Sequence, residues 1–135
     1  MGDLTNHFSR SEFACNCGCG DDRIDLEFVE MLEDVRLLLE RSITITSGVR
    51  CRSYNEEIGG VKTSAHLPID RNDGKGEVAR AADSNVPTST YRHMITPLLW
   101  ARFQRIGFGK QFYHVDTLGK GEAVLWDYYE SDHVA

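Results

Sequence analysis

The sequence predicts a single α+β domain in which helices pack on a small, mostly antiparallel sheet. Two patterns predict this class: apolar residues recur at three- and four-residue spacing over residues 25–41, and short β-branched or aromatic runs follow one another after residue 105. The chain has 135 residues, of which 41% are hydrophobic and 27% are charged. This is the length and composition of one globular domain, and we assign residues 1–135 to it.

The expected elements follow from local patterns in chain order. Amphipathic spacing predicts helices, alternating β-branched and aromatic residues predict strands, and glycine-rich polar clusters predict loops. We expect Phe8 and Phe13 to anchor the N-terminal segment, and Thr88 or Ser89 to cap the second long helix. The predicted elements are an extended segment at 1–14, helices at 25–41, 54–58 and 89–104, a loop at 61–78, and strands at 42–47, 79–86, 106–110, 111–116 and 123–128.

Charge and hydropathy limit the partners that the chain can have. Its 15 Lys and Arg against 21 Asp and Glu give a net charge of −6 at pH 7, whereas nucleic-acid binding depends on basic residues that neutralise phosphates. We therefore expect no nucleic-acid partner. No apolar run is long enough to span a bilayer, and the N-terminus lacks the apolar region of a secretory signal. We expect a monomer that is made in the cytoplasm without membrane insertion.

The four cysteines are unevenly distributed, with Cys15, Cys17 and Cys19 alternating in CNCGCG and Cys51 standing alone. Structural zinc sites ordinarily use CxxC pairs, because two intervening residues aim both thiolates at one ion. The CxCxC spacing does not favour a second zinc site at the first three cysteines. Reduced thiols in a glycine turn are the favoured interpretation, and the alternatives are such a zinc site or a disulfide to Cys51 in an oxidising compartment.

Three residues carry metal-binding chemistry: His66, Asp83 and His114. Two imidazoles and one carboxylate form a ligand set of catalytic zinc, which leaves the fourth position for water. Asp83 lies among small apolar residues, where a carboxylate needs a cation or hydrogen-bond donors. Spacing alone leaves a second interpretation open, in which the histidines are hydrogen-bonded residues of the core.

A series of short motifs extends from about residue 7 to residue 118. The motifs are FSRSEF at 8–13, CNCGCG at 15–20, ITSGVRC at 45–51, Asn55 followed by GGV at 59–61, SAH at 64–66, AAD at 81–83 and FYHVD at 112–116. In this order they closely resemble the zinc D-alanyl-D-alanine carboxypeptidase family, in its small phage-type branch, within the superfamily shared with hedgehog signalling domains. The resemblance implies a hedgehog/DD-peptidase-like fold and one catalytic zinc held by His66, Asp83 and His114.

The resemblance also implies roles for two further residues and a function. Arg50 matches the arginine that holds a substrate carbonyl or carboxylate near the metal, and Ser64 matches the serine that helps to bind the peptide terminus. The implied enzyme is a zinc metallopeptidase that cleaves an amide bond in peptidoglycan stem peptides, as a D-Ala-D-Ala carboxypeptidase or a cell-wall endopeptidase. A phage or prophage endolysin of this kind acts on the bacterial cell wall after release from the cytoplasm. The alternative function is a non-catalytic, zinc-stabilised module that binds the cell wall or belongs to a virion.

Two departures from the family pattern affect the expected site. Sixteen residues separate His66 from Asp83, more than is usual in the family, and we expect the excess around residues 70–77 to form a surface loop that leaves both ligands in place. Gln111 stands where many relatives place a glutamate as general base, and glutamine cannot accept a proton. Asp116 is then either the base or an acceptor that orients His114, because residues two apart on a strand share a face.

The remaining histidines and aromatic residues have structural interpretations. We expect the histidines outside the ligand set to lie at the surface, Trp100 and Phe103 to lie in the core, and the aromatic residues near the C-terminus to pack in the sheet rather than line a groove. The histidines are His7, His93 and His133, and the aromatic residues near the C-terminus are Trp126, Tyr128 and Tyr129.

Overall fold

A five-stranded mixed sheet with helices packed on it forms the described part of the protein, a computed structural model of residues 2–119 and 121–129. The predicted α+β class is confirmed. The helices are a 3-10 helix at Arg10–Phe13, α1 at Leu26–Leu39, α2 at Arg52–Glu57 and α3 at Ser89–Arg102. The strands are β1 at Ile45–Ser47, β2 at Ala81–Asn85, β3 at Arg105–Phe108, β4 at Phe112–Asp116 and β5 at Val124–Asp127.

The strands lie side by side in the order β1, β2, β4, β3, β5. Three of the four pairings are antiparallel, as the sequence predicts. The turn between β3 and β4 is closed by the Gly109 amide, which donates to the carbonyl oxygen of Phe112 over 2.9 Å. The chain then passes β3 and adds β5 at the far edge, so β5 runs parallel to β3.

The two faces of β2 and β4 differ sharply in polarity. Ala82, Tyr113 and Val115 lie on an apolar face within the hydrophobic core. Their neighbours along the strands point the other way, and the register sets Asp83 opposite His114. We call this second side, which carries Asp83, His114 and Asp116, the polar face. Alternation along two paired strands thus concentrates titratable side chains on one side of the sheet.

The two long helices, α1 and α3, supply a large share of the hydrophobic core. The rings of Phe28 on α1 and Phe103 at the end of α3 lie 5.8 Å apart between centroids. Ile95, Leu99 and Phe103 are buried at four-residue intervals, which confirms Phe103 as a core residue. The prediction for Trp100 is wrong, because it lies outside this row and is 61% exposed.

The predicted helix cap and the predicted N-terminal anchors are both present. Thr88 caps α3, because its hydroxyl oxygen accepts from the Tyr91 amide over 3.1 Å. Phe8 and Phe13 are fully buried anchors, as predicted. The N-terminal segment is not simply extended, however, because the Ser9 amide donates to the Glu12 carboxylate over 2.7 Å and stabilises the 3-10 turn.

The polar excess between His66 and Asp83 forms a largely exposed loop, as predicted, and side-chain contacts fix its base. Arg71 donates to the backbone carbonyl oxygens of Leu67, Ile69 and Val78. The Lys75 ammonium reaches the start of α1, where it lies 2.9 Å from Asp25 Oδ2. These contacts hold the extra residues against the domain without displacing either candidate ligand.

The surface histidines give mixed outcomes. His93 is exposed on α3 as predicted, and His133 lies outside the described residues. His7 is not merely solvated, because its Nδ1 lies 2.6 Å from Glu33 Oε2 and its backbone amide donates to the same carboxylate. In the described ranges, none of the helices combines the length and apolar character needed to cross a membrane.

Candidate metal centre

The polar face brings the three predicted metal ligands together. Asp83 and His114 are cross-strand neighbours, and His66 comes from the loop after α2, where its carbonyl oxygen accepts from the Arg50 amide over 2.9 Å. Their exposed fractions are 7%, 3% and 0% respectively. One donor atom from each residue lies within 4.8 Å of the others. The fold therefore brings together three residues that are far apart in the sequence.

The orientation of the His66 ring is set by a backbone carbonyl. Nδ1 lies 2.6 Å from the carbonyl oxygen of Gly48, and because that oxygen can only accept, Nδ1 carries the hydrogen. Nε2 of the neutral ring then presents a lone pair to Asp83 Oδ1, which lies 3.3 Å away. Among the described residues, this buried nitrogen has no hydrogen-bond partner.

His114 is held by a carboxylate on its own strand. Nε2 lies 2.7 Å from Asp116 Oδ2, and Nδ1 lies 3.0 Å from Asp83 Oδ1. A hydrogen on Nε2 satisfies Asp116 and leaves the Nδ1 lone pair directed at Asp83. The arrangement is the carboxylate–histidine pairing that fixes the tautomer of a metal-binding imidazole.

The charges of the site favour an ionised Asp83. Burial opposes that charge, but His66 and His114 outweigh burial and hold the pKa of Asp83 below its usual value. Burial lowers the pKa of His66, so this ring is neutral near pH 7. Burial also disfavours the charged form of His114, but hydrogen bonds to Asp116 and Asp83 raise its pKa to about 9.

These three residues fit a divalent cation. A proton on His114 Nδ1 would satisfy Asp83 but would leave His66 Nε2 as a buried, unpaired acceptor, which is costly. A metal ion engages both nitrogen lone pairs and the carboxylate oxygen at once. One oxygen and two nitrogens also form a donor set that suits zinc and leaves a coordination position open.

Asp116 is buried and both of its oxygens are engaged. Oδ2 accepts from His114, while Oδ1 accepts from Arg105 Nε over 2.6 Å and from the Leu118 amide over 3.0 Å. Burial opposes ionisation of Asp116, but the hydrogen bond from His114 contributes most to a pKa below the usual value. These contacts are those of a carboxylate that orients His114.

Arg50 lies beneath the candidate ligands and is 1% exposed. Its nitrogens lie 3.3 Å from Ser47 Oγ, 3.3 Å from Asn55 Oδ1 and 3.5 Å from Asp83 Oδ2. Burial lowers the pKa of the guanidinium, and the Asp83 charge partly offsets this. Contact of Arg50 with a substrate stays a prediction, whereas its contact with Asp83 is present in this structure.

A cleft of about 400 Å³ runs alongside His114 and Asp116. Ser64 lies in its wall, where the hydroxyl oxygen accepts from the His66 amide over 3.2 Å. Trp126 and Tyr128 also line this cleft, so the prediction that they pack in the sheet rather than line a groove is wrong. The substrate-binding role of Ser64 is untested, but its position in the cleft is compatible with it.

The third strand leaves room for an aromatic ring over the site. Gly107 on β3 pairs with both His114 and Trp126, and a Cβ there would lie 2.5 Å from the indole nitrogen. The indole consequently reaches His114, with 5.5 Å between ring centroids. The Arg105 guanidinium also lies over the indole, 5.0 Å from the ring centroid. A side chain at position 107 would exclude this stack.

Comparison with protein-family models gives a match to Peptidase M15 over residues 6–116. The chain belongs to the peptidase M15 family. No significant similarity was found to a curated protein or to a solved structure. M15 peptidases are zinc-dependent metallopeptidases, and the matched region contains all three residues of the donor set. Family membership and the unpartnered nitrogen of His66 therefore point to the same metal.

Several residues of this M15 site were not identified from the sequence. Asn55 was noted only as part of a motif, yet its buried amide oxygen contacts Arg50. Arg105 is an isolated basic residue whose pairing with Asp116 depends on the β3–β4 register. Trp126 and Tyr128 lie beyond the residues that the family model matches, and only the strand pairing shows that they reach the site.

Proposed function

We propose that the protein is a zinc-dependent peptidase that hydrolyses an amide bond in peptidoglycan stem peptides, as a phage-type carboxypeptidase or endopeptidase. The observation that carries the proposal is the buried donor set of His66, Asp83 and His114 beside an open cleft. The motif resemblance supports this substrate class and this branch of the family. It also supports action on the bacterial cell wall after release from the cytoplasm.

The chain prepares its donor atoms through the hydrogen bonds around them. Zinc, when bound, supplies Lewis-acid polarisation of a carbonyl and activation of water at neutral pH. Gly48 keeps the proton of His66 on Nδ1, and Asp116 keeps the proton of His114 on Nε2. His66 therefore presents a lone pair directly, whereas His114, whose raised pKa keeps it protonated near pH 7, would release its Nδ1 proton when metal binds; neither ring needs a tautomeric change.

The cleft offers a stacking surface, a cation and a hydrogen-bond donor for a peptide. Arg105 is 29% exposed in its side chain, and Asp116 and Trp126 hold it in place. A guanidinium in such a position can pair with the terminal carboxylate of a stem peptide. This contact favours substrates that end near the cleft, as in carboxypeptidase action.

Tyr128 is our candidate for the donor of a hydrogen bond to the reacting carbonyl group. It lines the cleft, and its half-buried position raises the pKa of its hydroxyl, which therefore stays protonated at neutral pH. A fixed donor near developing negative charge stabilises a transition state. We assign this function to Tyr128, and to Arg50 the positioning of Asp83 from beneath.

Digestion of purified peptidoglycan tests the proposal. The protein should release peptides or single amino acids that mass spectrometry identifies, chelation should stop the release, and added zinc should restore it. His66→Ala should be inactive, whereas the matched control His93→Ala changes an exposed histidine of α3 and should remain active. Binding to peptidoglycan without release of products would instead identify the protein as a non-catalytic module.

A further inference from the structure

The four cysteines of the chain converge on one point of the fold. Cys15, Cys17 and Cys19 lie in the turn before α1, and Cys51 lies directly before α2, up to 36 residues away. All four are free, and their sulfur atoms lie within 4.8 Å of one another. The sequence argument against a second zinc site considered only the CxCxC spacing. The fold adds a fourth thiol that this spacing does not reveal.

The turn that carries the first three cysteines is closed by its own backbone. The Cys15 amide donates to the carbonyl oxygen of Asp21 over 2.8 Å. Gly18 and Gly20 have φ angles of 87° and 85°, in the left-handed region that glycine adopts most readily. These two residues let the chain curl tightly enough to direct alternate cysteines to the same side. In CNCGCG the two glycines thus direct the thiols toward one point, as the two intervening residues of a CxxC pair do in an ordinary zinc knuckle.

The sulfur positions match a tetrahedral metal site better than a disulfide. Cys17 Sγ lies 3.4 Å from Cys15 Sγ and 3.7 Å from Cys51 Sγ. Four sulfurs around zinc with bonds of about 2.3 Å are separated by about 3.8 Å, whereas a disulfide bond is about 2.05 Å long. The two observed sulfur–sulfur distances are close to the edge length of that tetrahedron.

Backbone amides also point at the sulfurs, as they do around metal-bound thiolates. The Cys51 amide lies 3.4 Å from Cys15 Sγ, and the Asp21 amide lies 3.5 Å from Cys19 Sγ. Amide donors of this kind stabilise negative charge on sulfur, and the thiolate is the form that binds metals. The amides are a second observation, independent of the sulfur separations, that fits bound metal.

We propose that Cys15, Cys17, Cys19 and Cys51 bind a structural zinc ion, distinct from the ion at His66, Asp83 and His114. Four protein ligands close the coordination sphere, so this ion has a structural role. It joins the N-terminal turn to the segment that contains Arg50, where the Val49 amide already donates to the carbonyl oxygen of Phe13 over 2.8 Å. The proposal does not depend on peptidase activity.

Cobalt substitution tests the site without changing the sequence. Because all four cysteines belong to the cluster, a sulfur-to-cobalt charge-transfer band of the cobalt-loaded protein can arise only there. We expect that band together with the strong visible absorption of tetrahedral cobalt, and we expect it to persist in His66→Ala. Absence of the thiolate band, or a disulfide in protein purified with reductant and zinc, would overturn the proposal.

Zinc content then separates the two sites. Wild-type protein should contain two zinc ions per chain, and His66→Ala and Cys17→Ser should each contain one. Cys17 is exposed, so serine there leaves the core unchanged. Loss of zinc from Cys17→Ser with full retention in His66→Ala would support the cysteine site and refute the peptidase centre. One zinc in the wild type that Cys17→Ser retains would refute the cysteine site alone.

Discussion

Replacement of Asp116 by asparagine separates the two roles that the sequence leaves open for this residue. The carboxylate accepts from His114 on one oxygen, and from Arg105 and Leu118 on the other. An asparagine has only one acceptor oxygen. If this oxygen faces His114, the amide nitrogen faces the donors of Arg105 and Leu118. If it faces those donors, the amide nitrogen opposes the hydrogen on His114 Nε2.

The second orientation has a direct consequence for the metal centre. To accept from the asparagine amide, His114 would move its hydrogen from Nε2 to Nδ1, which is the atom directed at Asp83. The lone pair needed for zinc would be lost. Changes to groups that orient metal ligands weaken metal affinity by about ten- to a hundredfold. This range corresponds to about 1.4–2.7 kcal/mol.

The assay has two parts because affinity and turnover report different roles. Competition with a chelator should show zinc binding to Asp116→Asn weakened by about ten- to a hundredfold, and saturating zinc should restore most turnover. His93→Ala provides the matched control, with unchanged affinity and turnover. Unchanged zinc affinity with abolished turnover would refute the orienting role and identify Asp116 as the general base.

Two further substitutions test the surroundings of the site, and a third tests the contact between the N-terminal segment and α1. Arg50→Lys should lower the melting temperature and the zinc affinity, because one ammonium cannot replace all the hydrogen-bond donors of a buried guanidinium. Each buried acceptor left unpaired costs about 1–3 kcal/mol. If only turnover at saturating zinc falls, Arg50 contacts substrate instead. Tyr128→Phe should reduce kcat by about a hundred- to a thousandfold at unchanged zinc content, and unchanged kcat would refute its role. Burial opposes ionisation of Glu33, but His7 outweighs it and lowers the pKa, so this contribution to stability is present above the unfolded pKa and is lost in acid. The difference in melting temperature between Glu33→Gln and wild type should therefore be largest near pH 7 and should shrink as the pH falls below the unfolded pKa of Glu33.

Local patterns in the sequence were sufficient to predict the main elements, but not to select the three candidate metal ligands. Periodicity identified α1, and the alternation of residues 42–47 identified β1, because each pattern reflects which side of an element is buried. The resemblance joined His66, Asp83 and His114 into one site across a longer loop than usual. That loop caused no error, since its contacts are made at its base and at the start of α1.

The features that were missed depend on contacts between distant segments. Trp100 has the spacing of a core residue, but the position of the neighbouring elements leaves it exposed. The Cys51 thiol joins the others only because the turn before α1 packs beside α2. Tyr128 reaches the cleft because β5 crosses to the far edge of the sheet and runs parallel to β3. Local sequence patterns contain no information on which distant segments pack together.

The central claim is that His66, Asp83 and His114 hold the zinc that hydrolysis requires. Zinc content and peptide release from peptidoglycan, measured on the same preparations of wild type, His66→Ala and His93→Ala, test it most directly. The account predicts that His66→Ala loses one zinc ion per chain together with all peptide release, while His93→Ala matches the wild type. Zinc content and release unchanged in His66→Ala would contradict it.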